Sequence, residues 1–273
     1  MTAGDSTDGR PLLFLSIVTA LSIPFFVIGS VTDTVEIGAL QLPVSAMMFV
    51  LPVAVAAAMV WQAAGQAGVG AFLRRAADRP AGPLRWYVIA ALVIPVIAVC
   101  SHLVARWTGQ VDRALPLSPA AAPVVLLVFA ISATCEELGW TAYATDPLQR
   151  RFGEPATGLG LGVYWALWHL VPLLQAGHQT WWILGWFCGT VAARVLIVTL
   201  HNRTGHGVSA AIVLHTMLNV TSAYTPGLDQ PVSTLVTGIL TAVVAAVLLI
   251  GIRAAQNSHA GSVVARRANI EQS

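Results

Sequence analysis

The chain of 273 residues contains no lysine, so all 14 basic residues are arginine. That reads as genome composition, not as function. Charge of either sign is scarce: 10% of residues are charged, against roughly 25% in soluble domains. A deficit of that size excludes an ordinary soluble domain. Cysteine is scarce too. Cys100, Cys135 and Cys188 lie in apolar stretches at no ligand spacing, which excludes a disulfide framework or a thiolate metal centre and leaves small buried hydrophobes. Internal repeats and low-complexity segments are absent. Transporters often carry paired repeats with broken helices, so this absence counts against transport. The net charge of +2 says little about partners, and no nucleic acid is expected.

Apolar residues make up 56% of the chain, in several runs near 20 residues long. Runs of that length cross a bilayer as helices. The expected fold is all-α, a polytopic membrane helical bundle of about eight transmembrane helices. Residues 1–10 read as a disordered N-terminal segment, 11–253 as one transmembrane domain and 254–273 as a C-terminal cytoplasmic tail. The first apolar run is long for a signal-peptide core and lacks a small-residue cleavage site, so it reads as a retained span. The spans fall at about Pro11–Val31, Leu42–Gln62, Trp86–Ala105, Pro119–Thr145, Thr157–Leu174, Trp181–Leu200, Val208–Tyr224 and Val232–Ile252. Asp146-Pro147 reads as the start of a turn. With both termini inside, the inner segments hold 11 arginines and the outer loops only Arg106 and Arg113. That bias predicts a cell-membrane protein with both termini cytoplasmic. Trp86, Trp107, Trp181 and Trp182 sit at span ends, where interfacial aromatics belong.

Few strongly polar side chains remain inside the spans: His102, Glu136, Glu137, His169, Arg194, His215 and Asn219. Carboxylates at membrane depth are costly and mark function. Glu136 and Glu137 are adjacent, hence about 100° apart on a helix, and at least one needs a partner of its own. Trp165 and His169 are four apart, as are His215 and Asn219, so each pair shares a helix face. A glutamate with an imidazole can activate water. A second imidazole and an amide can bind the oxyanion of a tetrahedral intermediate. The same carboxylates and imidazoles could instead hold zinc with an open position for water. Spacing leaves both chemistries open.

Three blocks give a resemblance. Glu136-Glu137-Leu138-Gly139-Trp140, Trp165-Ala166-Leu167-Trp168-His169 and His215-Thr216-Met217-Leu218-Asn219 resemble, in order and spacing, the motifs of the CPBP family of intramembrane proteases. That family includes the CAAX prenyl endopeptidases and bacteriocin self-immunity proteins. The resemblance implies an intramembrane endopeptidase acting on a membrane protein or peptide within the lipid bilayer. It implies that Glu136 with His169 activates water, that His215 and Asn219 form the oxyanion site, and that Glu137 supports them. It fixes no cofactor: metal-independent glutamate chemistry is the preferred reading, and a divalent metal such as zinc on Glu136, His169 and His215 is the alternative. The sequence is silent on oligomeric state.

Two positions depart from the family pattern. Thr141 stands where the motif has arginine, and Trp165 where it has phenylalanine. Thr141 can donate a hydrogen bond to Glu137 but cannot neutralise it. Arg194, inside the sixth span, is the candidate replacement cation; otherwise it snorkels to the inner interface. His102 reads as structural, and His178, His201, His206 and His259 as loop or tail residues without a role. Competing readings are a non-enzymatic transporter or immunity protein, and a family member inactivated by Thr141.

Overall fold

The structure, a computed structural model, describes residues 9–32, 34–37, 40–109, 118–228 and 230–271. Helix α1 (Pro11–Val31) leads through a two-stranded antiparallel hairpin, β1 (Val35–Ile37) and β2 (Leu40–Leu42), into a 3-10 turn at Val44–Val50. Then come α2 (Leu51–Arg74), α3 (Arg85–Trp107) and α4 (Ala122–Glu137). Helix α4 continues as a π-helix, Leu138–Thr145, and then as α5 (Asp146–Phe152). Helices α6 (Glu154–Trp168), α7 (Leu170–Gln175), α8 (Thr180–Arg203), α9 (Ser209–Tyr224) and α10 (Pro231–Glu271) complete the bundle. Proline stands in the first turn of α1, α2, α4, α5 and α6. There its missing N–H leaves no helical bond unmade.

Among the described residues, seven helical segments are long and apolar enough to cross a membrane. The expected span not among them is the seventh, α9, whose 16 residues reach about 24 Å at 1.5 Å each, short of a hydrocarbon core of about 30 Å. Large apolar side chains such as Val96, Val99 and Leu103 on α3 and Val243, Val247 and Ile250 on α10 face outward. In water such faces would be a liability; in lipid they are the solvent-exposed surface.

Helix α8 is the central post, with 67% of its most apolar stretch buried. Small residues let its neighbours approach. A Cβ on Gly162 of α6 would lie 3.0 Å from the Val191 backbone of α8, and one on Gly238 of α10 would lie 2.3 Å from the Gly185 carbonyl oxygen. Gly139 in the π-helix similarly abuts Pro52 of α2, where a Cβ would sit 2.4 Å from the proline ring. Beside it Trp140 is fully buried, with its indole edge-on to Phe14, Tyr164 and Trp168 at 5.3–5.7 Å between ring centroids. Such edge-to-face contacts are the favoured aromatic geometry.

Several expectations are corrected. Asp146-Pro147 does not open a turn. The wide π turn precedes it, and Pro147 falls in the first turn of α5, where proline is tolerated. The fifth expected span does stand as one apolar segment, Glu154–Gln175, interrupted only at His169 between α6 and α7. Cys100 and Cys188 lie exposed on the outer surface, not buried. Of the four end-of-span tryptophans, Trp107 and Trp181 are exposed, but Trp86 and Trp182 are buried. Trp182 donates its indole N–H to the Leu228 carbonyl at 2.7 Å. Residues 1–8 of the N-terminal segment, and Arg113, lie outside the described residues. The segment after Ile252 continues α10 as helix to Glu271.

Candidate active site

The two neighbouring glutamates close α4, and their surroundings differ. Glu137 is fully buried. It accepts hydrogen bonds from both terminal nitrogens of Arg194, at 2.7 and 2.9 Å, in a bidentate pair reaching over from α8. Thr141 Oγ1 donates to the same carboxylate at 2.5 Å, and His215 Nδ1 of α9 lies 2.8 Å from its Oε1. Both oxygens of Glu137 are thus occupied. A paired guanidinium–carboxylate fork is the geometry that makes a buried ion pair tolerable. Arg194 therefore does not snorkel: it is completely buried.

Glu136 is nearly as buried but is held from one side only. The indole N–H groups of Trp140 and Trp165 donate to a single oxygen, Oε2, at 3.1 and 2.7 Å. Trp165 does more than the phenylalanine it replaces, which has no N–H to offer. Its ring also stands edge-on to His169 (5.7 Å) and to His215 (4.9 Å), and the Arg194 guanidinium lies 4.2 Å above it. One indole therefore joins α4, α6, α8 and α9.

His169 sits at the break between α6 and α7, half-buried, with Nδ1 2.9 Å from the Trp165 carbonyl. A carbonyl only accepts, so Nδ1 carries the proton and Nε2 keeps its lone pair. Asn219 stands one turn beyond His215 on α9, half-buried, and among the described residues its side chain makes no hydrogen bond. The structure thus gathers Glu136, Glu137, Thr141, Trp165, His169, Arg194 and His215 by direct contact. Asn219 joins them only through its position on the His215 face. His102 is apart, with Nδ1 3.3 Å from the Pro226 carbonyl.

The alternative ligand set of Glu136, His169 and His215 does not fit zinc as placed. Among the described residues these three do not bring ligand atoms within 4.8 Å of one another. The one group that does gather ligand atoms within that distance, among the described residues, is Asp146, His201 and His206.

Asp78 supports the site from outside it. Its carboxylate accepts from the backbone N–H groups of Val208 and Ser209 at the start of α9. An acid there satisfies otherwise unpaired donors and complements the helix dipole. It is the only acid between residues 65 and 85, and that isolation is the signal that could have marked it. Asp78→Ala is expected to lower stability by about 1–2 kcal/mol, read from thermal unfolding in detergent. An unchanged midpoint would show that the cap is dispensable.

Residues 116–221 match the family model described as type II CAAX prenyl endopeptidase Rce1-like. That range contains every residue of the cluster. The chain is also 26% identical over 181 residues to the CAAX prenyl protease 2 of Methanococcus maripaludis, a match covering 61% of this chain and 66% of that protein. It thus spans just under two thirds of that relative's length. Both comparisons bear out the resemblance to the CPBP family.

Proposed function

We propose that this multi-pass membrane protein is an intramembrane endopeptidase that hydrolyses a peptide bond of a membrane-associated protein or peptide. The observation that carries the reading is the division between the adjacent carboxylates. Glu137 is saturated by an arginine, a threonine and a histidine, whereas Glu136 is anchored through Oε2 alone. An anchored carboxylate with one oxygen spare is what a general base needs.

In the proposed reaction Glu136 Oε1 takes one proton from water, while the water's other O–H stays intact and donates a hydrogen bond to His169 Nε2, which aligns it. The water oxygen attacks the scissile carbonyl carbon, giving a tetrahedral oxyanion. His215 and the Asn219 amide donate to that oxyanion. The role requires a proton on His215 Nε2 as well as on Nδ1, and Glu137 is the counter-charge for that form. Glu136 then returns its proton to the leaving amine, and the C–N bond breaks. Stabilisation by donors already in place is typically the largest single contribution to such catalysis.

The Arg count supports a reading in which both termini lie on the cytoplasmic side of the cell membrane. On this reading the end of the bundle bearing Arg75, Arg150 and Arg203 is cytoplasmic.

The test is cleavage by protein purified in detergent, with product masses read for unmodified membrane peptides and for a prenylated CAAX peptide. The relative's name makes the second substrate worth including. His169→Ala should abolish product formation. Trp165→Phe should keep the fold but cost roughly 10- to 100-fold in kcat/KM, the value of one hydrogen bond to a charged group at about 1.5–3 kcal/mol. Cleavage undiminished in both variants would remove the mechanism.

A further inference from the structure

We propose a second site in this protein: Asp146, His201 and His206 bind a divalent transition-metal ion of the zinc class at the arginine-rich end of the bundle, apart from the membrane cluster. Asp146 opens α5, His201 lies in the last turn of α8, and His206 lies in the link to α9. Asp146 Oδ1 lies 3.0 Å from His201 Nε2 and 2.9 Å from His206 Nδ1.

The tautomer of His201 carries the inference. Its Nδ1 lies 2.9 Å from the Gly207 carbonyl, which can only accept. The proton of a neutral ring is therefore on Nδ1, and the Nε2 lone pair points at Asp146. His201 is fully buried. A proton on Nε2 would satisfy that contact, and so would a metal ion; a second imidazole on the same carboxylate oxygen suits the ion, which all three groups can ligate together. An imidazole held by an Nδ1–H to a carbonyl is the usual support of a metal-ligating histidine. Two imidazoles and one carboxylate, with room for water, suit zinc or its neighbours. Calcium and magnesium prefer a shell of oxygens.

The surroundings agree. His206 is the one non-glycine residue with positive φ among the described residues, at 61°. That strained conformation turns its ring toward Asp146; such strain persists where the surroundings enforce it. Arg75 holds the loop by donating to the carbonyls of His206 (3.0 Å) and Ala142 (2.5 Å). The Gln149 and Asn202 amides pair beside Asp146. An open cavity of ≈ 510 Å³, bordered by Glu154 and Arg150, leads to the carboxylate and to His206. Arg75 and Arg150 stand near Asp146 and Glu154 and offset their charge. The donors, not bulk negative charge, then select the ion. His206 is 60% exposed, so its ring can open to the ligand spacing of about 3.3 Å that Zn–N bonds of about 2.0 Å require.

The experiment strips the detergent-purified full chain of metal and titrates it with Zn2+ alone, by calorimetry and thermal unfolding, and with Co2+ by visible absorption. Wild type should take up one ion at the site, gain thermal stability and show the intense visible bands of low-coordinate Co2+. His206→Asn relieves the positive-φ strain, so it should fold at least as well metal-free, yet bind about tenfold or more weakly. Asp146→Asn should also lose the ion. Glu136→Gln should bind as wild type does, so the outcome is independent of the proposed protease chemistry. The proposal is overturned if wild type takes up no Zn2+, if His206→Asn and Asp146→Asn bind it unchanged, or if Glu136→Gln abolishes uptake.

Discussion

Arg194→Gln should destabilise the protein by about 3–5 kcal/mol, the cost of stranding one partner of a buried ion pair. Glu137 would keep Thr141 and His215 but lose both charge-assisted bonds from α8. Denaturant unfolding in detergent reads the loss, and proteolysis should fall with it, because His215 is held by the same carboxylate. The double variant Arg194→Gln with Glu137→Gln separates the two effects. Removing both charges leaves no uncompensated ion, so stability should largely recover. Activity should not recover, since a neutral amide cannot serve as the counter-charge of His215. A double variant as active as wild type would show that the ion pair is structural alone. A single variant of unchanged stability would refute the idea that Arg194 stands in for the arginine missing at Thr141.

Glu136→Gln should leave the fold intact and reduce kcat/KM by about 10²- to 10⁴-fold, the range for loss of a general base. The glutamine carbonyl oxygen can still accept from Trp140 and Trp165, which is why stability is expected to hold. What it cannot do is take a proton from water. Cleavage rates for one peptide, measured alongside the unfolding midpoint, check both halves. Activity within a few-fold of wild type would move the base to another residue. A collapse of the fold would mean that the two indoles need a full negative charge between them.

The sequence showed its long-range plan more clearly than its local bends. The spacing of Trp165 and His169 marked a helix face that meets Glu136 and His215 in the fold, because helical periodicity is a property of the chain alone. Arg194 stood out because a cation inside an apolar run must have a partner. Its choice of Glu137 was legible only as one of two options, since 57 residues separate them. The break at His169 had a signal in Pro172, which cannot donate a helical bond back to Trp168, whereas the π turn at Leu138–Thr145 left none and packs against Pro52 and Phe14. His201 and His206 looked like idle loop residues because their acid lies 55 and 60 positions away. Cys100 and Cys188 were misplaced because apolar context means lipid as readily as core in a membrane protein.

The wide turn after Glu137 has one more effect. A π segment holds more residues per turn than an α-helix, so it sets the phase between what comes before it and what comes after. Were the same residues 138–145 to wind at α pitch instead, α5 would be turned about its axis relative to α4. Glu136 and Glu137 would stay where they are, while Asp146 would turn away from both imidazoles. The pitch of this stretch is what keeps two distant polar centres in step.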